Sequence, residues 1–183
     1  IDDTADRLAR DREITPAAVN RYLAVIRAIL RRAEREWRWI DKAPAIRLAP
    51  EGDSRVRWLS RSEYTRLMRA LPDHLKGPAE FTLQTGLRQA NVFGLRWEQV
   101  DLNRRVAWVS AGQAKSGKAL RVPLNKKACE IIRAHRGEHH DLVFTHKGKR
   151  ITLDGKTWAR VLKSAEIDDF RWHDLRHTWA SWH

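Results

Sequence analysis

From residue 15 to residue 38, apolar side chains return every three or four positions, at Val19, Tyr22, Leu23, Ile26, Ile29, Leu30, Ala33 and Trp37. That is the period of an α-helix. Thr15 is placed to cap it, and Pro16 takes the first helical position, where its missing N–H costs nothing. The other face carries Arg21, Arg27, Arg31, Arg35 and Arg38, either a solvated surface or a track for phosphates. A lone helix cannot bury such a stripe, so this segment belongs to a small helical bundle. Periodicity is then lost over residues 41–59, which hold Pro44, Pro50 and Gly52 and read as a linker between domains.

A second pattern begins at Ser60-Arg61-Ser62-Glu63, a capping box that launches a helix to about Leu71, where Pro72 stops it. A further helix is predicted over 78–84, ended by Gly86 in a left-handed conformation, with Arg88 at the start of the next short helix. Strand-like alternation follows at 105–109 and 119–124, joined by the turn-rich SAGQAKSGK. Helices are predicted at 125–136, capped by Asn125, at 154–165, and from about 173 onward. The fold class is therefore mainly α with a small antiparallel β-sheet (α+β).

Composition sharpens this. The 183 residues are 42% hydrophobic and 32% charged, as in a soluble globular protein. No apolar run approaches the roughly 18 residues of a membrane span, and the N-terminal residues have no signal-peptide pattern. The single cysteine, Cys129, excludes an internal disulfide framework, so a reducing, cytoplasmic setting is expected. The net charge is +13, of which residues 1–50 carry +3 and the remainder +10. So basic a chain points to a polyanion, and nucleic acid is the commonest.

Four positions in the basic part suit chemistry on a phosphate. Arg88 lies in a tight turn behind a glycine, and Lys115 lies at the tip of the β-hairpin, in AKSGK. His173 and Arg176 share one face of the last helix, because residues three apart are neighbours there. Two guanidinium forks can hold the non-bridging oxygens of one phosphate and stabilise a pentacoordinate phosphorane. A histidine can move a proton on or off the attacking group, and a lysine can protonate a leaving alkoxide. Such a set would suit phosphoryl transfer without a metal, although each part alone is a weak signal.

The order TGLRQANVFGLRWEQVDL, AKSGKALRVPL, HDLRHTWAS resembles the catalytic domain of the tyrosine recombinases, the phage-integrase family, of the prophage type. The likeness spans roughly residues 58–183. The N-terminal helical segment looks like the end of that family's core-binding domain, giving a core-binding part at 1–48, a linker at 49–57 and a catalytic domain at 58–183. The resemblance implies site-specific recombination in phage or mobile-element integration and excision. DNA strands are cut and rejoined through a 3′-phosphotyrosine, without ATP, metal or other cofactor, by a homo-tetramer on double-stranded DNA. It makes Arg88 and Arg176 the phosphate clamps, His173 the proton-transfer residue and Lys115 the acid for the leaving oxygen, with Lys118 as the rival lysine.

The sequence also departs from the family pattern. Asn91 stands where many relatives have a carboxylate three residues after the first arginine; an amide can still orient Arg88 by accepting a hydrogen bond. The family's third His/Trp position and its tyrosine fall beyond residue 183, and neither Tyr22 nor Tyr64 matches the nucleophile. The chain is accordingly expected to be a piece of a longer protein, able to bind DNA but lacking the nucleophile. A natural prophage remnant and a helper subunit supplied with its tyrosine by a partner are the alternatives. Two other function classes remain: a non-enzymatic DNA-binding regulator, and a metal-dependent nuclease using the carboxylates of EIDDF, 166–170.

Overall fold

The computed structural model describes residues 14–51, 55–113 and 117–183, and the chain divides into two compact units, 1–55 and 56–183. In the first unit, helix α1 spans Pro16–Arg35, with the Thr15 hydroxyl accepting the Ala18 N–H at 3.3 Å. It ends three residues before the predicted limit, because Arg38 adopts a left-handed φ of 53° and the chain turns there. The apolar stripe is only partly covered. Val19, Leu23 and Ala33 are buried, whereas Tyr22, Ile26, Ile29 and Trp37 are exposed.

The predicted linker does not begin as free chain. Asn20 is bracketed to Ala49, donating to its carbonyl at 2.9 Å and accepting its N–H at 2.9 Å, and it donates to Glu51 at 2.7 Å. Arg27 donates to the Ile46 carbonyl at 2.8 Å, and Ile46 packs on Val19 and Leu23. One of the helix arginines therefore ties the chain back to α1 and is not spent on solvent. This pairing of a polar helix residue with an irregular segment leaves no periodic trace in sequence.

In the second unit, α2 spans Arg61–Ala70 and carries the predicted capping box: Ser60 accepts the Glu63 N–H at 3.2 Å, and Glu63 accepts the Ser60 N–H at 2.8 Å. Helix α3, Asp73–Thr85, starts five residues earlier than the predicted 78, because Pro72 rather than Gly77-Pro78 marks its beginning. Pro78 inside the helix removes one hydrogen bond. The burial of Leu75, Ala79, Phe81 and Leu83, each fully enclosed, outweighs that loss. Helix α3 packs on α4 (Gln89–Phe93), α5 (Lys126–Ala134) and α7 (Asp174–Trp182), while α2 packs on α6 (Gly155–Ala165).

Strands β1 (Val100–Asp101), β2 (Val106–Val109) and β3 (Leu120–Pro123) form an antiparallel sheet with β2 in the centre, in register Val106 to Pro123 and Val109 to Leu120. A second hairpin, β4 (Thr145–His146) with β5 (Lys149–Arg150), was not predicted. It turns through Lys147 and Gly148, both with positive φ, in the manner of a two-residue hairpin turn. No described helix is long and apolar enough to cross a membrane.

Candidate active site

The site is built where the end of α3 meets α7. Gly86 caps α3 with φ 63°, and a Cβ built there would come within 2.3 Å of the Trp179 ring. Glycine is needed at this point twice, for the left-handed turn and for the close approach of α7. The Gly86 carbonyl then accepts a hydrogen bond from Nη1 of Arg176. Two residues on, Arg88 forms the N-cap of α4 with an extended backbone. One turn thus carries the first arginine and grips the second.

Helix α7 is fixed from several sides. Its Thr178 hydroxyl accepts the Leu59 N–H at 3.0 Å and donates to the Asp174 carbonyl at 2.8 Å, both bonds buried. The Asp174 carboxylate accepts the Arg171 N–H at 2.8 Å, closing the turn into the helix. Trp172 is buried against Phe93 and Trp158, with ring centroids 5.0 and 5.4 Å away. Between buried Trp172 and buried Asp174 and Leu175, His173 is left exposed.

Although the residue is exposed as a whole, its ring loses part of its hydration, and this, followed by repulsion from His177, Arg176 and Arg88, holds the His173 imidazole below the usual histidine range; Asp174 opposes this. These effects place Arg88, His173 and Arg176 in one electropositive cluster. His177 belongs to it too, edge-on to His173 with centroids 5.2 Å apart. Sequence reasoning missed His177, although its spacing of four from His173 puts both on one helix face. It also missed the Gly86 carbonyl, since a backbone acceptor has no sequence signature.

The remaining predicted residues stand as follows. Lys115 lies outside the described residues; Lys118, its rival, is exposed. The Asn91 amide does not accept from Arg88: among the described residues the Arg88 guanidinium makes no hydrogen bond or ion pair, and Asn91 bonds to Arg88 only through its backbone N–H, at 2.9 Å to the Arg88 carbonyl. Tyr64 donates to Glu80 at 2.6 Å, and burial together with that carboxylate pushes its phenol far above the usual range. Among the described residues no three His, Cys, Asp or Glu side chains are placed to share a metal ion, those of EIDDF included.

The architecture matches solved recombinases. The Tn1549 transposon integrase in complex with a circular intermediate DNA superposes with a TM-score of 0.78 at 18% identity, over 97% of this chain and 69% of that one. A lambda integrase tetramer bound to a Holliday junction gives 0.70 at 18% identity, over 97% of this chain and 56% of that one. At such identities the likeness establishes the fold. Sequence carries it further: residues 57–182 match the phage integrase family, and the chain belongs to that family. It is 43% identical to the integrase of Salmonella phage P22, over 91% of this chain and 48% of that protein. It is 28% identical to the shufflon-specific DNA recombinase of Escherichia coli, over 90% of this chain and 43% of that protein. The chain spans about half the length of these relatives.

Proposed function

We propose that the full-length gene product is a site-specific DNA recombinase that cuts and rejoins duplex DNA through a 3′-phosphotyrosine, and that residues 56–183 supply its phosphate clamp. The observation that carries this is the Gly86 turn, which grips Arg176 through its carbonyl two residues before Arg88. Arg88 and Arg176 hold the non-bridging oxygens and take up charge in the transition state. A tyrosine oxygen attacks phosphorus as the bond to the 5′-oxygen breaks. His173 receives the phenol's proton, and Lys115 gives one to the departing 5′-oxygen. Attack by the partner strand's 5′-hydroxyl reverses the step and releases the tyrosine, so no external energy source or metal enters the balance. The net charge of +13 favours the DNA backbone, and the lambda integrase tetramer on a Holliday junction supports a four-protomer assembly.

Sulfur substitution tests the assignment. In the full-length gene product, Lys115→Ala is expected to cut ordinary DNA about 10²- to 10⁴-fold more slowly, the usual worth of a general acid. Activity should return on DNA whose bridging 5′-oxygen is replaced by sulfur, a leaving group that needs no proton. Recovery by Lys118→Ala instead would move the acid three residues along the hairpin. Absence of any cleavage by the parent protein would leave a DNA-binding regulator.

The electrostatics of His173 give a second expectation. As a base it must be neutral, and its lowered pKa keeps it neutral at more acid pH than an ordinary histidine near 6.5 would be. His177→Asn lifts the largest of these repulsions, so His173 should bind its proton more readily. The acid limb of the cleavage profile should therefore move to higher pH. A limb that stays in place or moves lower would remove His173 from the role of base.

A further inference from the structure

Helix α4 is a single turn of five residues, Gln89–Phe93, too short to hold its shape by its own hydrogen bonds. Both arms of the active site lean on it. Its N-cap is Arg88, whose carbonyl accepts the N–H groups of Asn91 and Val92 at 2.9 and 3.0 Å. Its last residue, Phe93, lies edge-on to Trp172, the residue before His173, with centroids 5.0 Å apart. Its C-terminal end is held from a distant part of the chain. Nη2 of Arg150 donates to the Ala90 carbonyl at 3.1 Å, and that oxygen also accepts the Gly94 N–H at 3.1 Å. A carbonyl has lone pairs for both bonds, and a helix C-terminus favours a cation. Arg150 belongs to β5 and pairs with Thr145 of β4, and buried Phe144 and Ile151 anchor the hairpin on either side. Gly94 makes room for the arginine. A Cβ there would come within 2.9 Å of that Nη2 and 3.0 Å of the Ala90 carbonyl. The Gly94 φ of −108° is open to any residue, so the glycine serves the close approach and not the turn.

We infer that Arg150 is a positioning residue for Arg88: through the Ala90 carbonyl it holds the one-turn helix from which Arg88 reaches the phosphate. The inference rests on the active-site reading above. Arg150 touches no reacting atom in this role and acts through Arg88, so its contribution should disappear once the Arg88 guanidinium is gone. Its bond to Ala90 uses a single N–H, whereas Arg176 must serve a carbonyl and a phosphate together. A lysine can therefore stand in for Arg150, because one charged donor is enough. An arginine that merely met the DNA backbone would behave otherwise. Its loss would lower affinity, and crowding at Gly94 would leave it untouched.

The experiment measures single-turnover cleavage and equilibrium DNA binding by the full-length gene product. Arg150 is exposed, so Arg150→Met removes the donor and spares the core. Cleavage is expected to slow about 10²-fold, the cost of a small misplacement of a catalytic group, while affinity falls far less. Gly94→Ala keeps every charge but pushes the guanidinium from its carbonyl, and should show the same split. Arg150→Lys should cut nearly as the parent does. In an Arg88→Ala background, adding Arg150→Met or Gly94→Ala should slow cleavage no further, since residues acting through one another are not additive. The inference would be overturned by affinity and cleavage falling by one common factor, by additive losses in the Arg88→Ala background, or by undiminished cleavage in both single variants. Each of those outcomes leaves the active site standing. Undiminished cleavage by Arg88→Ala itself would overturn the active-site reading, and the inference with it.

Discussion

Arg176→Ala in the full-length gene product is expected to slow strand cleavage by about 10³-fold, the upper range for loss of one charge-stabilising donor. DNA affinity should fall by less than about tenfold, because one phosphate contact among many is removed. The large ratio follows from the double duty of this side chain. Its guanidinium donates to the Gly86 carbonyl and has further N–H groups left for a phosphate. Lysine is a point donor and cannot hold the carbonyl while forking the phosphate, so Arg176→Lys should recover little. Cleavage of a suicide substrate and equilibrium binding, measured on the same preparations, separate the two effects. If binding and cleavage fell by one common factor, Arg176 would be an ordinary DNA contact and the clamp would be wrong.

Much of this site was legible in the sequence because its parts are local. Gly86 and Arg88 sit in one turn, and His173 and Arg176 share a helix face; both follow from spacing and from glycine's access to positive φ. The caps at Thr15, Ser60 and Asn125 were legible for the same reason, each being a side chain that bonds within three residues. What escaped depends on residues far apart in the chain. The Arg176 bond to Gly86 crosses 90 residues, and the Leu59 bond to Thr178 crosses 119. The β4–β5 hairpin escaped because its strands are two residues long and its turn is Lys-Gly, without the Asn-Gly signal. Helix α3 begins before the predicted 78 because burial of Leu75, Ala79, Phe81 and Leu83 outweighs the local disfavour of Gly77-Pro78 for a helix interior, an effect of tertiary packing that leaves no local signal.

Family membership narrows the chemistry, and the local surroundings of the two tyrosines then decide what this polypeptide can do with it. Residues 1–183 are expected to form no covalent adduct with DNA. In-line transfer needs a phenol that can lose its proton as it attacks. Tyr64 is the reverse of that: its hydroxyl is already committed to Glu80 at 2.6 Å, and ionising it would put two negative charges side by side in a partly buried place. Its ring is also held edge-on to Trp182, with centroids 5.7 Å apart, so freeing it would disturb the end of α7. Tyr22 is exposed on α1 in the other compact unit and makes no hydrogen bond among the described residues. The measurement is incubation of residues 1–183 with a suicide DNA substrate, followed by denaturing electrophoresis, beside the full-length gene product. No denaturant-resistant band is expected from residues 1–183. The full-length protein should give a band that is lost when a single tyrosine outside residues 1–183 becomes phenylalanine. A band from residues 1–183, mapped by Tyr22→Phe or Tyr64→Phe, would assign the nucleophile to this chain and overturn the mechanism; nicking without any adduct would replace phosphotyrosine chemistry by hydrolysis.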